Sequence, residues 1–220
     1  MVRRLIDGSE LDLTRLRCAL VGGDAFEPAL AAAAAERGLR CVPTYGLTET
    51  CGGVVYDATP LPGTEVRIAD GGRIELRGPT LMDGYLRDPQ ATAEAFTVDG
   101  WLRTRDAGEL GTDGSLTVFG RLDDAILTGG ELVWPAEVEA VLRTHPKVAD
   151  VLVVGRPHPD WGHRVTAVVV PVDLADPPSE GDLRDLARSG LADFKLPRGL
   201  EIVGGLPETR TGKPRRSGFS

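Results

Sequence analysis

The pentapeptide Gly120-Arg121-Leu122-Asp123-Asp124 stands near the middle of a 220-residue chain and separates two different patterns. Before it the sequence reads as short strands and glycine turns, and after it as alternating helices and strands. Two adjacent aspartates beside an arginine are poor material for a packed core, so the stretch reads as a joint between domains. Taken alone, a solvated turn with no chemistry explains such a pentapeptide better, and only the rest of the chain decides against that.

On the N-terminal side, Cys18-Ala19-Leu20-Val21 meets Gly22-Gly23-Asp24, a strand running into a tight turn. Pro28 opens a helix that runs through the alanines to about Arg37, and Gly38 closes it. Arg40 to Pro43 is a second short strand leading into Thr44-Tyr45-Gly46-Leu47-Thr48-Glu49-Thr50. Polar groups thus collect at strand ends, where open α/β sheets place their ligands. From Val54 to Phe119 short extended segments alternate with glycine turns (65–68, 73–77, 101–104 and 115–119), with a helical insertion at 89–96. Beyond the joint, Pro135 to Thr144 is helical, with Glu137 and Glu139 near its start as the helix dipole favours. Val148 to Val154 and Arg164 to Val172 are strands, Gly181 to Phe194 an amphipathic helix, Leu200 to Val203 a last strand, and Pro207 to Ser220 a polar, mobile loop. The expected fold class is α/β and α+β: a partial αβ subdomain (1–53), a small β-rich subdomain (54–119), then a hinge and a separate α+β domain (120–220).

A composition of 41% hydrophobic and 26% charged residues is ordinary for a globular chain, whereas a formal charge of -8 leaves no general basic surface. Nucleic acid and anionic membrane are therefore disfavoured as partners, and any phosphate must be bound locally. Cys18, Cys41 and Cys51 form no close pair and fit reduced thiols in a cytoplasmic protein. The alanine run Ala31 to Ala35 ends in Glu36-Arg37 and is a helix, not a signal segment, and no apolar stretch reaches membrane-spanning length.

Tyr45 to Thr50 joins a ring that can stack on a base, a glycine that admits phosphate, and a hydroxyl and a carboxylate that can bind phosphate oxygen and Mg²⁺. A capped turn would use the same residues. Gly22-Gly23 reads first as a structural turn. Asp106 in Thr104-Arg105-Asp106 can accept from ribose hydroxyls or simply hold a turn. Lys213 lies in a basic tail, yet it is one of only three lysines, with Lys147 and Lys195, in a chain with 25 basic residues. A compact ammonium suits a position between a carboxylate and a phosphate better than a guanidinium. His145, His158 and His163 lack metal-ligand spacing, and Trp101, Trp134 and Trp161 read as packing residues.

Taken together and in order, these segments resemble the adenylate-forming superfamily of acyl-CoA synthetases, adenylation domains and luciferases. Tyr45 to Glu49 is similar to its Tyr-Gly-x-Thr-Glu motif, Gly84-Tyr85 and Gly100-Trp101 to Asp106 to its ribose region, Gly120 to Glu139 to its hinge and following loop, and Leu206 to Lys213 to its lysine motif. The resemblance implies adenylation of a carboxylic acid by MgATP, followed by attack of a thiol, with ATP, Mg²⁺ and coenzyme A as cofactors. It implies that Tyr45 and Gly46, with Gly22 and Gly23, contact the nucleotide, that Thr48 contacts phosphate and Glu49 Mg²⁺, and that Asp106 and Arg121 sit at the ribose. Asp123 becomes the hinge, Lys213 the catalytic lysine, and Thr128, Gly129, Gly130 and Glu131 the loop that serves the thioester step. Thr50-Cys51-Gly52-Gly53, Tyr56-Asp57 and Thr128-Gly129-Gly130-Glu131 with Trp134-Pro135 are most similar to the o-succinylbenzoate-CoA ligases of menaquinone biosynthesis. A carrier-protein-loading adenylation domain and a generic acyl-CoA synthetase are the alternatives.

Two positions depart from the pattern: Arg105 stands where glycine is usual, and Leu127 where many relatives have lysine. The Ser/Thr/Gly-rich phosphate loop is not found ahead of Gly22. The expectation is therefore of an N-terminally incomplete chain, completed by a separate N-terminal polypeptide or a homo-oligomer, or else a non-catalytic fragment that binds adenine nucleotide weakly.

Overall fold

The computed structural model describes residues 2–8, 12–23, 26, 28–207 and 216. They divide into two compact units, Met1–Val118 and Phe119–Ser220.

The first unit opens with α1 (Val2–Gly8), followed by β1 (Ala19–Gly22), α2 (Pro28–Glu36) and β2 (Cys41–Leu47). β1 and β2 pair in parallel, Ala19 opposite Cys41, as a strand-helix-strand connection requires. Gly38, at φ +75°, ends α2 and returns the chain so that Leu39 N–H donates to the Ala34 carbonyl. Ala34 and Leu39 are fully buried with Ile6 and Leu13. Helix α1 is absent from the expectations above, although Val2, Leu5 and Ile6 carry a one-face helical spacing. β3 (Gly52–Tyr56) and β4 (Thr59–Pro60) continue the same sheet antiparallel, in the order β1-β2-β3-β4. The αβ sheet therefore runs on through β4, past residue 53, where the sequence pattern places the change of architecture.

The β-rich part is a sheet in the order β5 (Glu65–Ile68), β6 (Arg73–Arg77), β7 (Leu102–Leu110), β8 (Leu116–Arg121), with α3 (Pro89–Ala95) inserted before β7. Val54 and Val55 of β3 pack against Ile74, Leu76 and Leu116, so a single core joins the two sheets. Trp101 is buried, with the guanidinium groups of Arg67 and Arg77 4.4 and 4.6 Å from its ring centroid, a packing role as expected.

In the second unit β9 (Ile126–Thr128) and β10 (Glu131–Val133) form a hairpin, α4 (Pro135–Leu142) follows, and β11 (Val148–His158) pairs antiparallel with β12 (Gly162–Pro171) over nearly their whole length. α5 (Glu180–Arg188) starts at a reciprocal Ser179–Asp182 capping box, and β13 (Leu200–Ile202) pairs in parallel with β12. α5 is shorter than the 181–194 expected: Ser189 and Gly190 bond back to the last turn, and residues 193–195 form a separate 3-10 turn. Val138, Leu142, Val151, Val153, Val165, Val169 and Leu183 form the core of this unit. Among the described residues no helix is long and apolar enough to cross a membrane.

The β2–β3 pairing shifts register between Tyr45 and Gly46, and there the two backbones approach so closely that a Cβ at Gly46 would overlap the Gly52 carbonyl oxygen. Gly46→Ala should therefore part β2 from β3 and destabilise the first unit by about 1–3 kcal/mol. Urea unfolding followed through Trp101, the one tryptophan of that unit, measures it, and an unchanged midpoint would contradict the close approach.

Candidate functional site

In the first unit the Tyr45-to-Thr50 segment leaves β2 and turns through a 3-10 turn at Thr48–Thr50 into β3. Thr50, 2% exposed, is the internal brace: its hydroxyl accepts from Leu47 N–H at 2.8 Å and lies 2.6 Å from the Gly52 carbonyl. Cys51 then takes a left-handed backbone (φ 56°) to enter β3. With the turn fixed from inside, Thr48 is exposed and Glu49 half-buried at its outer side. Thr50, read from the sequence only as part of the Tyr45-to-Thr50 and Thr50-to-Gly53 segments, is thus the residue that positions the turn.

Asp106 comes from β7. Glu75 pairs with Arg103 but Arg73 with Ala107, so residues 104–106 bulge opposite Ile74. Thr104, 3% exposed, fills the irregularity by donating to the Ile74 carbonyl at 2.7 Å and accepting from Asp106 N–H at 3.1 Å. The bulge turns the Asp106 side chain inward, 8% exposed, where the Tyr45 hydroxyl donates to it at 2.9 Å. Two residues 61 positions apart, from different sheets, thus meet through one charge-assisted bond. Arg105, on the other face of the bulge, is exposed.

Tyr85 adds a third element. Asp88 caps α3 by accepting from Ala91 N–H, and Thr92 in that helix accepts from Tyr85 N–H at 2.9 Å. So held, the Tyr85 hydroxyl donates to Glu49 Oε1 at 2.7 Å, and Met82 N–H donates to the Glu49 carbonyl. The bond to the carboxylate, then burial and the Glu49 charge, push the Tyr85 phenol above its ordinary value, with Arg105 acting in the opposite sense. Glu49 and Thr48 offer one carboxylate and one exposed hydroxyl. That donor set suits Mg²⁺ held mostly by phosphate oxygens and water, not an all-protein cage. Among the described residues no cluster of three His, Cys, Asp or Glu side chains has metal-binding geometry. Gly22 stands opposite Thr44, whose hydroxyl fills the space a Cβ would need, so packing alone accounts for glycine there; Gly23 follows at φ 90°.

In the second unit the joint is a 3-10 turn, Leu122–Asp124, with Arg121 and Asp123 at 3.9 Å and both side chains about half exposed, a pair that contributes little to stability. Thr128 and Glu131 face each other across Gly129-Gly130, whose φ angles of 58° and 91° match the two-residue turn favoured in hairpins. The expected loop is thus a hairpin tip, tied down by Gly129 N–H donating to the Trp161 carbonyl. Leu127, 51% exposed, lies on β9 opposite Leu132. Lys147 is paired with Asp176 and Lys195 with Glu137, while Lys213 lies outside the described residues. Glu139 does not act at a helix end: it is 4% exposed and takes bonds from Val153 N–H and from Arg216, which the motif reading passed over.

Comparison with known proteins follows the same division. The AMP-binding enzyme family matches residues 1–86, and its AMP-binding enzyme C-terminal domain matches residues 137–213. A Mycobacterium tuberculosis protein named probable 2-succinylbenzoate–CoA ligase is 42% identical over 207 residues, covering 93% of this chain and 54% of that protein. The o-succinylbenzoate CoA synthetase of Bacillus subtilis, solved in complex with its acyl-adenylate intermediate, superimposes with a TM-score of 0.89 at 31% identity, over 100% of this chain and 49% of that one. The amide bond synthetase McbA of Marinactinospora thermotolerans gives 0.87 at 36% identity, over 99% of this chain and 49% of that one. The chain spans about half the length of the curated relatives it matches.

The Tyr85–Glu49 bond is read by pH titration of the tyrosine absorbance. Because the bond raises the folded-state value, its contribution is complete below the ordinary phenol value of about 10 and is lost as pH rises through the folded one. Glu49→Gln should bring one tyrosine transition down toward the ordinary value, and that same transition should be missing from Tyr85→Phe; a titration unchanged by Glu49→Gln would contradict the bond.

Proposed function

The chain belongs to the AMP-binding enzymes, the adenylate-forming superfamily, and from that premise we propose that it carries the nucleotide, hinge and lysine elements of an ATP-dependent acid–thiol ligase. The proposed acid is 2-succinylbenzoate and the proposed thiol coenzyme A. The observation that carries the reading is the Tyr45–Asp106 bond, which brings two separated motifs together beside the Glu49 turn. A phenol ring oriented by a buried carboxylate can stack on adenine, and a carboxylate is an acceptor for ribose hydroxyls.

The acid's carboxylate oxygen attacks the α-phosphorus and pyrophosphate leaves, giving the acyl-adenylate. The thiol then adds to the acyl carbon and AMP leaves with the C–O bond electrons, giving the thioester. Tyr45 and Asp106 hold the nucleoside, with Arg121 added from the hinge side, and the Thr48 hydroxyl holds a phosphate oxygen. Glu49 would hold Mg²⁺, which neutralises phosphate charge when bound. Lys213 places an ammonium between the attacking carboxylate and the α-phosphate, so catalysis rests on positioned cations and not on a covalent nucleophile. Asp123 is the pivot, and Thr128 to Glu131 is a hairpin tip for the second step. Triphosphate binding is assigned to residues outside these 220, and the reaction to the cytoplasm, where ATP, CoA and reduced thiols coexist.

The similarity to an amide bond synthetase favours one other reading, in which the same adenylate is passed to an amine. ATP–pyrophosphate exchange tests the first step in both cases. It is run on the chain alone and with the first half of a relative added to supply the triphosphate cradle. Exchange that requires 2-succinylbenzoate and falls about a hundredfold in Lys213→Ala, equivalent to about 2.7 kcal/mol, is expected. Equal exchange with unrelated acids contradicts the acid assignment. Absence of exchange in both arms contradicts the ligase, and CoA against amine as the acceptor separates the two readings.

A further inference from the structure

Phe119, near the end of β8, and Trp134, the residue before α4, lie on opposite sides of the joint in sequence, and both belong to the second unit. Their rings stack, with centroids 5.9 Å apart and planes 28° from parallel. Trp134 is fixed by its neighbours: Val133 is fully buried in the core of the unit, and Pro135, also buried, opens α4. Phe119 has no such neighbours. From Thr117 to Ala125 every residue is exposed or half-buried, and the chain next enters a core at Ile126. The ring stack is therefore what holds this exposed run ahead of the 3-10 turn.

Asp123 lies between the two rings in the chain. Behind it, Ile126 is 5% exposed in the core of the second unit, and the Asp124 carboxylate stands 3.6 Å from Arg216 Nε. Ahead of it, the stack fixes Phe119 to the same unit. Residues 120–125 are thus a short bridge with both ends on one body. A change of φ and ψ at Asp123 large enough to reorient what precedes Phe119 carries that ring away from Trp134. Gly120, at φ +144°, gives the bridge backbone freedom, and the Arg121 and Asp123 side chains, about half exposed, put no buried group in the way of a turn.

We propose that the Phe119–Trp134 stack is a latch on the joint. With the rings together the pivot is held in one setting, and with the rings apart it is free to turn. An offset ring pair shifts an equilibrium by about two- to tenfold, enough to favour one setting and too little to lock it. The proposal rests on the reading of Asp123 as the pivot. The alternative is that the two rings only pack the second unit, the role expected above for Trp134.

Amide hydrogen exchange of the 220-residue chain, followed by peptide mass spectrometry, separates the two. Phe119→Ala and Trp134→Ala should each speed exchange about two- to tenfold in the 119–126 peptide, where Ala125 N–H donates to the Leu122 carbonyl. The peptides covering Val151–Val154 and Val165–Val169 should keep their protection. The double substitution should be no faster than either single one, because each removes the same contact. Trp134→Phe, which keeps a ring, should stay near the wild type. Exchange in the 119–126 peptide as fast in the wild type as in Phe119→Ala overturns the latch. So do additive effects in the double variant, or loss of β11–β12 protection in step with the joint, which is what packing alone produces. Asp123→Gly, which loosens the pivot, should add to Phe119→Ala and leave the latched chain unchanged. An Asp123→Gly that adds nothing overturns the pivot at Asp123, while ring variants that change nothing overturn the latch, so the two failures are read apart.

Discussion

A carboxylate that is nine-tenths buried must be matched by donors, and in the first unit that constraint falls on Asp106. Its position depends on a bulge in β7, the bulge on the Thr104 hydroxyl, and its charge on the hydroxyl of Tyr45 from another sheet. Every part of the proposed nucleotide site is referenced to this bond. Tyr45 reaches it because Gly46 lets β2 lie against β3, and the turn that carries Thr48 and Glu49 starts two residues later. The shared apolar core of Val54, Val55, Ile74, Leu76 and Leu116 holds the two sheets at the separation the bond needs. A hydrogen bond between a phenol and a carboxylate contributes only about 1.5–3 kcal/mol. Its larger effect is directional, since it fixes a ring plane and a carboxylate plane together.

The second unit solves a different problem with the same means. An exposed edge strand, a buried glutamate and a terminal arginine each carry groups that are costly when unpaired, and together they satisfy one another. The arrangement makes Arg216 part of the domain's own edge and joins it to Asp124 in the Leu122–Asp124 turn.

Some of this was legible in the residues. Pro28, the alanines and Gly38 give α2 to within a residue, and the strands at 65–68 and 73–77 appear where expected, because turn glycines and β-branched runs act locally, whereas the strand expected at 101–104 runs on to Leu110 and takes in Asp106. The Tyr45-to-Glu49 motif and Asp106 were recognisable from their order in the chain. What joins them was not: the Tyr45–Asp106, Tyr85–Glu49 and Arg216–Glu139 bonds span 61, 36 and 77 positions, and nothing in local spacing encodes such pairings. Glu139 shows the limit well. At the start of a helix it looks like an acid placed for the dipole, yet its helical face turns it into the core, where it pairs both with Arg143 one turn on and with Arg216 from the far end of the chain.

The nucleoside site proposed for the first unit is the Tyr45–Asp106 pair, and titration of the isotope-labelled chain with AMP, followed by backbone amide chemical shifts, probes it. Saturable shifts concentrated at residues 44–50 and 104–107 are expected, lost in Asp106→Ala while the remaining spectrum is preserved. Shifts confined to other residues, or binding undiminished in Asp106→Ala, would contradict it.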